Sequence, residues 1–415
     1  MVPKGWEVCP LSEITKWSSG GTPSKSNKEY WNGDIPWISA SSMKGHYYSD
    51  SDLKITELAV SEKAKMADKN NILLLVRGSM LWNKIPVGIT TRRVAFNQDV
   101  KCISPTLSKL DTDFLLYWFL AKENQLMGMV TGTGIGAGKL DTNDLQSLSV
   151  LLPPLPEQQK IANILSTWDK AISTTERLID NSTQQKKALM QQLLTGKKRL
   201  LDDNGERFSG KWELKKVSDY FDVSSSKRVL QEDWKEDGVP FYRTRELVSL
   251  AKNEPFRSSI YIADDYYEEL IAKYGMPDEG DFLVSGVGTL GIIYQVREND
   301  KFYFKDGNVL WFRKEKEVSS DFFKYCFLSD YIQNQINIQA SVTTVGTYTI
   351  TNAKKTKFHC PPLEEQQKIA TVLTNADKEI ELLEQQLVDL QQEKKALMQV
   401  LLTGKKRVLV DGESV

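Results

Sequence analysis

Two stretches of this chain carry apolar residues at a strict interval. In the first, Ile161, Leu165, Trp168, Ile172, Thr175, Ile179, Ser182, Lys186, Leu189 and Leu193 follow one another in alternating steps of four and three. In the second, Ile369, Leu373, Ala376, Ile380, Leu383, Leu387, Leu390, Lys394, Leu397 and Leu401 do the same. Such steps keep one stripe on a helix, the a/d seam of a coiled coil, so each stretch is predicted to be a long helix packed on another. Thr175 and Ser182 weaken the first seam where the second has Leu383 and Leu390. Two prolines precede each helix, and acids fill the first turn at Glu157 and at Glu364-Glu365. Gly196 and Gly404 close them, each followed by Lys-Lys-Arg, which suits the negative end of a helix. A surface helix lying on its own domain gives a similar stripe; the length and the matched copies favour helix-on-helix pairing.

The two helices belong to an internal repeat. PPLPEQQKIANILSTWDKAI, from Pro153, recurs as PPLEEQQKIATVLTNADKEI, from Pro361, with 13 of 20 positions identical. KKALMQQLLTGKKRLL, from Lys186, recurs as KKALMQVLLTGKKRVL, from Lys394, with 14 of 16 identical. Both pairs sit at one offset of 208 residues, too long for a solenoid period, so a whole module is duplicated. The remainder has diverged around a shared frame. Trp6-Glu7 answers Trp212-Glu213, Ile35 to Ile38 (IPWI) answers Val239 to Tyr242 (VPFY), LLVRGS answers FLVSGV, and DFLLYWFL answers DFFKYCFL.

From Glu157 to Thr195 a helix runs ~60 Å at 1.5 Å per residue, whereas a globule of about 150 residues is only about 40 Å across. Parallel helices would require the globule to carry the chain back the whole length; antiparallel helices require only a turn at one end. The expected fold class is therefore α+β: two globular domains joined by two long helices in an antiparallel coiled coil, a dumbbell with a pseudo-two-fold internal repeat. Its segments are residues 1–152, first globular domain; 153–208, first helical spacer; 209–360, second globular domain; and 361–415, second helical spacer. Short β-like runs such as NILLLVRG, GIIYQV and VLWFRK, with one helix before each spacer, give the mixed class.

Composition adds bounds. The 415 residues are 40% hydrophobic and 26% charged, enough for two or three full-sized cores. No run approaches the ~20 apolar residues of a membrane span. The start, MVPKGWEVCPLSEI, lacks the basic-then-apolar pattern of a signal peptide. Cys9, Cys102, Cys326 and Cys360 form no CxxC pair, so neither a disulfide framework nor a zinc site is expected, and a reduced cytoplasm is the default setting. Net charge is −1. Residues 1–152 carry 17 Lys and Arg against 15 Asp and Glu, and residues 211–360 carry 21 against 23. A DNA binder usually shows a basic surface. If this chain is one, its basic groups are clustered locally, or a partner supplies much of the electrostatic grip.

Turn-rich loops gather polar, basic and aromatic residues at corresponding places of the two globular segments. In the first these are Thr22, Ser24 and Lys25 of GGTPSK, Trp37, Arg77, Ser79, Asn83, Lys84, Arg92 and Arg93, with Thr131, Thr133 and Lys139 of TGTGIGAGK. In the second they are Ser226, Lys227, Arg228, Tyr242, Arg243, Arg245, Ser285, Thr343, Thr344 and Tyr348. Glycines and small hydroxyls let a backbone approach phosphates, and Arg or Asn can bond base edges in pairs. Any one such loop taken alone is more readily an ordinary solvated turn, and it is the recurrence at matched places in both copies that favours contact. Catalytic patterns fail. TGTGIGAGK lacks a glycine at Ala137 or Lys139 for a dinucleotide fingerprint, and Leu140 stands where a P-loop needs Ser or Thr. Only His46 and His359 are present for nucleophilic chemistry. Asp34 with Asp52-Leu53-Lys54 is a chance-level nuclease pattern, and no Asn-Pro-Pro-aromatic methyltransferase or helicase motif occurs.

LPPLPEQQKI with KKALMQQLLTGKKR, twice over, closely resembles the conserved regions of type I restriction–modification specificity subunits. GGTPSKSNKEYWNGDIPWISASSM, LLLVRGS and FNQDVKCISP resemble the target-recognition domain of that family. The second domain departs from it, with Ser224-Ser225-Ser226 in place of Gly-Gly-Thr-Pro and Phe241-Tyr242 in place of Trp37-Ile38. The resemblance implies a non-catalytic subunit whose two target-recognition domains each read one half of an asymmetric, split DNA target. The helices would act as a ruler, and ~60 Å bounds the separation at about 17 base pairs at ~3.4 Å each. It implies double-stranded DNA, two methyltransferase subunits and two restriction–translocase subunits as partners, with no membrane. No cofactor is expected on this chain; S-adenosylmethionine, Mg and ATP would serve the partner subunits. A coiled-coil adaptor tethering two protein-binding domains remains the main alternative from composition, and a self-contained nuclease or methyltransferase the second.

Overall fold

The computed structural model describes residues 2–410 apart from 63, 107, 135, 257 and 341–345. The chain divides into two compact units, Met1–Glu176 with Gln385–Val415, and Arg177–Glu384. The two long helices are Leu155–Leu193 and Leu363–Leu401, 39 residues each. Both unit boundaries fall inside these helices, so each unit holds one globular domain, the first half of one helix and the second half of the other.

In the first unit a five-stranded sheet runs in the order Thr15–Ser19, Val100–Pro105, Ile72–Leu75, Val87–Thr90, Tyr47–Tyr48. Ile72–Leu75 is buried at every residue, so it reads as a continuous apolar run rather than an alternating one. The helix Thr112–Ala121 packs against Val87–Thr90 and is apolar almost all round, as a fully buried helix must be. Asp111 starts it by accepting the Phe114 backbone N–H at 2.9 Å. A second sheet contains Trp31–Ile38 and Val94–Phe96 as a parallel pair, with Trp37 beside Ala95. Glu7–Pro10 pairs antiparallel with Ser149–Leu152, which brings the two ends of the domain together at the start of the first long helix.

The second unit repeats this frame with a different core. Phe221–Ser224, Val309–Lys314, Phe282–Ser285 and Ile293–Gln295 form the corresponding antiparallel sheet. Val239–Tyr242 and Tyr303–Phe304 form the corresponding parallel pair, and Glu213–Lys216 closes on Lys357–Cys360. Its centre is a cluster of Phe221, Phe282, Phe312 and Phe323, with Phe221 and Phe323 4.4 Å apart.

Within each unit the half-helices are antiparallel. In the first, Ile161 and Leu165 share a core with Met398, Leu401 and Leu402; in the second, Ile369 and Leu373 share one with Leu193 and Leu194. Away from these ends, Trp168, Ile172, Ile179, Leu189, Ile380, Leu383, Leu387, Leu390 and Leu397 are half-buried, because two helices alone cover only the facing stripe. The polar seam positions have partners. Lys394 donates to Asp169 at 2.5 Å, and the Tyr117 hydroxyl of the globular domain donates to the same carboxylate at 2.7 Å. In the second unit Lys186 pairs with Asp377, and Tyr325 donates to it at 2.6 Å. Each lysine also lies over the tyrosine ring, at 5.4 and 5.8 Å. Burial first, then the aspartate hydrogen bond, pushes both phenols well above their ordinary pKa, so they remain protonated donors.

The most repeated motifs meet at the helix ends. Glu157 accepts the Trp6 indole N–H at 2.9 Å and both Arg407 Nε and Nη2, at 2.7 and 2.8 Å. Glu365 accepts the Trp212 indole at 3.1 Å and Arg199 Nε and Nη2 at 2.6 Å each. The arginine of Lys-Lys-Arg therefore clamps the opening glutamate of the other helix, instead of only favouring its own helix end as its position in the sequence suggests. Gly196 and Gly404 turn the chain at φ +69° and +67° to deliver it. Gly404 allows nothing larger, since a Cβ there would lie 2.3 Å from Pro3 Cγ. Next to each glutamate, buried Gln158 and Gln366 donate to Pro153 and Pro361 carbonyls at 2.8 Å. They also accept the backbone N–H of Asp111 at 2.9 Å and of Ser319 at 3.0 Å, at the entry to each domain's helix.

Replacing Glu365 by Ala leaves a guanidinium and an indole N–H without their acceptor. Stability of the second unit should fall by about 3–5 kcal/mol, read from chemical denaturation; a loss below about 1 kcal/mol would show that the clamp does not hold the helix ends.

Candidate nucleic-acid interface

In the first domain a small sheet joins two of the loops singled out by sequence. The strands Thr131–Gly132, Gly138–Lys139 and Arg77–Gly78 lie in that order, with Lys139 paired to Thr131 on one side and Arg77 on the other. TGTGIGAGK is thus a hairpin, its tip turned by Gly134 and Gly136 at φ +81°. Thr131 and Lys139 are exposed on it, Arg77 on the neighbouring strand and Ser79 just after that strand, and Lys139 lies 3.8 Å from Asp141. The next turn, Ser79–Trp82, adds exposed Asn83 and Lys84 and an indole that sequence reading passed over. Trp82 is 47% exposed, with its ring N–H on the Gly136 carbonyl at 3.1 Å. Three cations, hydroxyls and an exposed aromatic ring thus lie on the small sheet and the turn that follows it, a combination suited to phosphate, sugar and base contact.

The GGTPSK loop is tied down from beneath. Trp37 donates to the Gly21 carbonyl and Trp31 to the Ser24 carbonyl, both at 3.1 Å, and the two indoles meet edge to face at 5.4 Å. Trp37 is only 5% exposed, so it shapes the loop and does not itself reach a ligand. Thr22 bonds Gln98, and Ser24 and Lys25 are exposed. Thr133 is half-buried and bonds the Ala137 carbonyl inside the hairpin. Arg92 and Arg93 occupy an exposed turn elsewhere in the domain, where Arg93 lies 3.9 Å from Asp68.

In the second domain Ser226 and Lys227 line a cavity of about 350 Å³ with Asp222, Tyr274, Trp311 and Arg313. Ser226 donates to the Phe304 carbonyl at 2.6 Å, Lys227 lies over the Tyr274 ring, and Arg228 is exposed. Arg243 and Arg245 open the helix Thr244–Ala251 beside Lys305 and Asn308. Two residues chosen by sequence position are corrected by burial, and a third is half-buried. Ser285 is fully buried and bonds the Thr289 carbonyl and the Ile292 N–H. Tyr348 is fully buried on Thr356, and Tyr242 is stacked on Phe302 at 5.0 Å. Ser285 and Tyr348 serve packing, whereas Tyr242 keeps part of its surface open. Thr343 and Thr344 lie outside the described residues.

One turn has the same construction in both domains. In the first, the Ser39 N–H donates to Ser42 Oγ at 3.0 Å; in the second, the Arg243 N–H donates to Glu246 Oε2 at 3.1 Å. Both follow the strand of the parallel pair. The residues carried are Ser39-Ala40-Ser41 in one case and Arg243-Thr244-Arg245 in the other. No group of three or more His, Cys, Asp or Glu placed to hold a metal occurs among the described residues. Nor is any of their helices long and apolar enough to cross a membrane.

The chain matches the family described as type I restriction modification DNA specificity domain over residues 3–181 and again over 209–392, and it belongs to that family. It is 26% identical to the type I restriction enzyme MjaVIII specificity subunit of Methanocaldococcus jannaschii, over 98% of this chain and 94% of the relative. It is 34% identical to the EcoR124I/EcoR124II specificity subunit of Escherichia coli over 38% of this chain and 40% of the relative. The crystal structure of a type I S subunit from M. genitalium has the same fold, with TM-score 0.56 at 16% identity over 96% of each chain. That of the HsdS subunit from Thermoanaerobacter tengcongensis gives TM-score 0.51 at 16% identity over 98% of each. Members of this family are specificity subunits: they bind DNA and assemble with modification and restriction subunits, which hold the catalytic activities.

Charge reversal at Arg77 should weaken DNA binding by the assembled complex about tenfold or more and lower the salt dependence by about one ion, while assembly on a sizing column stays intact. Unchanged affinity would remove the hairpin from the interface.

Proposed function

We propose that the first domain, residues 1–152, reads one half of an asymmetric split DNA target and the second, residues 209–360, reads the other, with the long helices fixing the gap. The single observation behind the asymmetry is the turn capped in the same way in both domains, which carries serines in one and arginines in the other. Two modification subunits and two restriction–translocase subunits complete the assembly in the cytoplasm. S-adenosylmethionine, Mg and ATP act there, none of them on this chain. The half-buried seam and the exposed Leu178, Leu382 and Val388 leave apolar helix surface open for such partners. Of the proposed contact residues, the exposed set Ser24, Lys25, Arg77, Ser79, Asn83, Lys84, Arg92, Arg93, Thr131, Lys139, Lys227, Arg228 and Arg245 is best placed.

Single-molecule methylome sequencing of the host, with the gene intact and deleted, tests this reading. Loss of one two-part adenine-methylation motif on deletion is the expected result, and an unchanged methylome refutes it for an active system. Removing one heptad from each long helix shortens each by about 10 Å. The motif's gap should then contract by about three base pairs with both halves retained; an unchanged gap would mean that the helices do not set it.

A further inference from the structure

At the start of the helix Thr244–Ala251, two arginines share one buried carboxylate. Glu246 is 2% exposed. Beyond capping the turn, it accepts Arg243 Nε at 3.3 Å and Nη2 at 2.9 Å, and Arg245 Nη2 at 3.1 Å. The two guanidinium groups differ in what remains free. The Arg243 side chain is 30% exposed and doubly held, whereas that of Arg245 is 72% exposed. Among the described residues, Arg245 is held only through Nη2, on Glu246 and on Ser259 Oγ at 3.5 Å. The Ser259 contact is long, so that Nη2 hydrogen, together with the neighbouring N–H on the same edge of the guanidinium, is left for a ligand. Lys305 and Asn308 line the same open cup, about 260 Å³ in volume, and Thr244 Oγ1 in its wall is buried without a partner among the described residues.

A carboxylate under an exposed arginine is a poor device for gripping phosphate, because it cancels charge, and phosphate attraction grows with net positive charge. Its benefit is orientation. A guanidinium anchored on a carboxylate through one Nη2 hydrogen is oriented by it and presents its other two-donor edge, which carries the second Nη2 hydrogen, outward. Two coplanar donors match the O6 and N7 acceptors of guanine in the major groove. We infer that Arg245, positioned by Glu246, reads a guanine in the half-target of the second domain. This deepens the DNA-reading function proposed above and rests on it. The corresponding turn of the first domain supports the assignment. Its Ser42 performs the same capping with a neutral hydroxyl, and Ser39 and Ser41 flank it without a guanidinium to orient. The capping geometry is thus common to both domains, and the charged pair belongs to one.

The test is the methylation motif made by the complete complex carrying wild-type chain, Arg245→Ala, Arg245→Lys or Glu246→Gln. Arg245→Ala should make one guanine-bearing position of the second half-motif degenerate, with discrimination there falling about 10- to 100-fold and the first half unchanged. Arg245→Lys should fail in the same way, since charge without the planar fork does not reproduce the contact. Glu246→Gln, which keeps the shape but loosens the guanidinium, should relax the same position and no other. A motif fully retained in Arg245→Ala overturns the inference. So does a uniform fall in methylation at every site that Arg245→Lys restores, the signature of a phosphate contact. A wild-type complex that methylates no two-part motif would overturn the underlying reading and this assignment with it.

Discussion

The reciprocal pairing of Glu157 with Arg407 and of Glu365 with Arg199 is the constraint on which the rest of this structure depends. Each glutamate opens one long helix, is almost completely buried, and receives a guanidinium from just beyond the end of the other helix. A buried charge is tolerated only when its partners are in place, so this contact fixes which end of one helix meets which end of the other. The Trp6 and Trp212 indoles bond to the same carboxylates. The first strand of each globular domain is therefore tied to the same point, and the domain's location on the helices is set along with their direction.

The Tyr117–Asp169–Lys394 and Tyr325–Asp377–Lys186 junctions then fix each domain a few helical turns further along. A lysine in an apolar seam weakens the seam unless its charge is met, and here both helices and the domain contribute to meeting it. That explains a feature of the repeat that hydrophobic spacing leaves unexplained: Lys186 and Lys394 sit at seam positions in both copies. The same reasoning accounts for Gln158 and Gln366, each of which satisfies backbone groups at the junction of helix and domain. In both copies the glutamate, glutamine, lysine and arginine of the motif are met by partners in the other helix or in the adjoining domain.

The fold was largely legible in the sequence for that reason. Helix periodicity, the 208-residue offset and the length argument for antiparallel packing all depend on local spacing or internal identity. The site was less so, because exposure depends on tertiary burial that spacing does not report. Trp37, Ser285 and Tyr348 have suitable chemistry in suitable places, yet each is buried, one supporting a loop and two inside the core. Trp82 was passed over because a tryptophan usually reads as core; its position just after Arg77-Gly78-Ser79, between glycine-rich turns, was the available signal. Glu246 was passed over because acids argue against DNA contact, although its place three residues after Arg243 is the spacing of a capping box.

The near-zero net charge is accompanied by cations committed to internal contacts. Arg199 and Arg407 close the helix clamps, Lys186 and Lys394 hold the junctions, and Arg243 is chelated by Glu246. Charge held this way counts in the composition but contributes little to a field acting on phosphates. Among the exposed cations, Arg77 and Lys139 lie side by side on the small sheet, and Arg245 stands beside half-buried Lys305 at the cup. A surface of that kind gives weak non-specific attraction and relies on directional contacts for selectivity. That division suits a subunit whose assembly partners can supply the bulk electrostatic grip, because a specificity ratio improves when the sequence-independent part of binding is kept small.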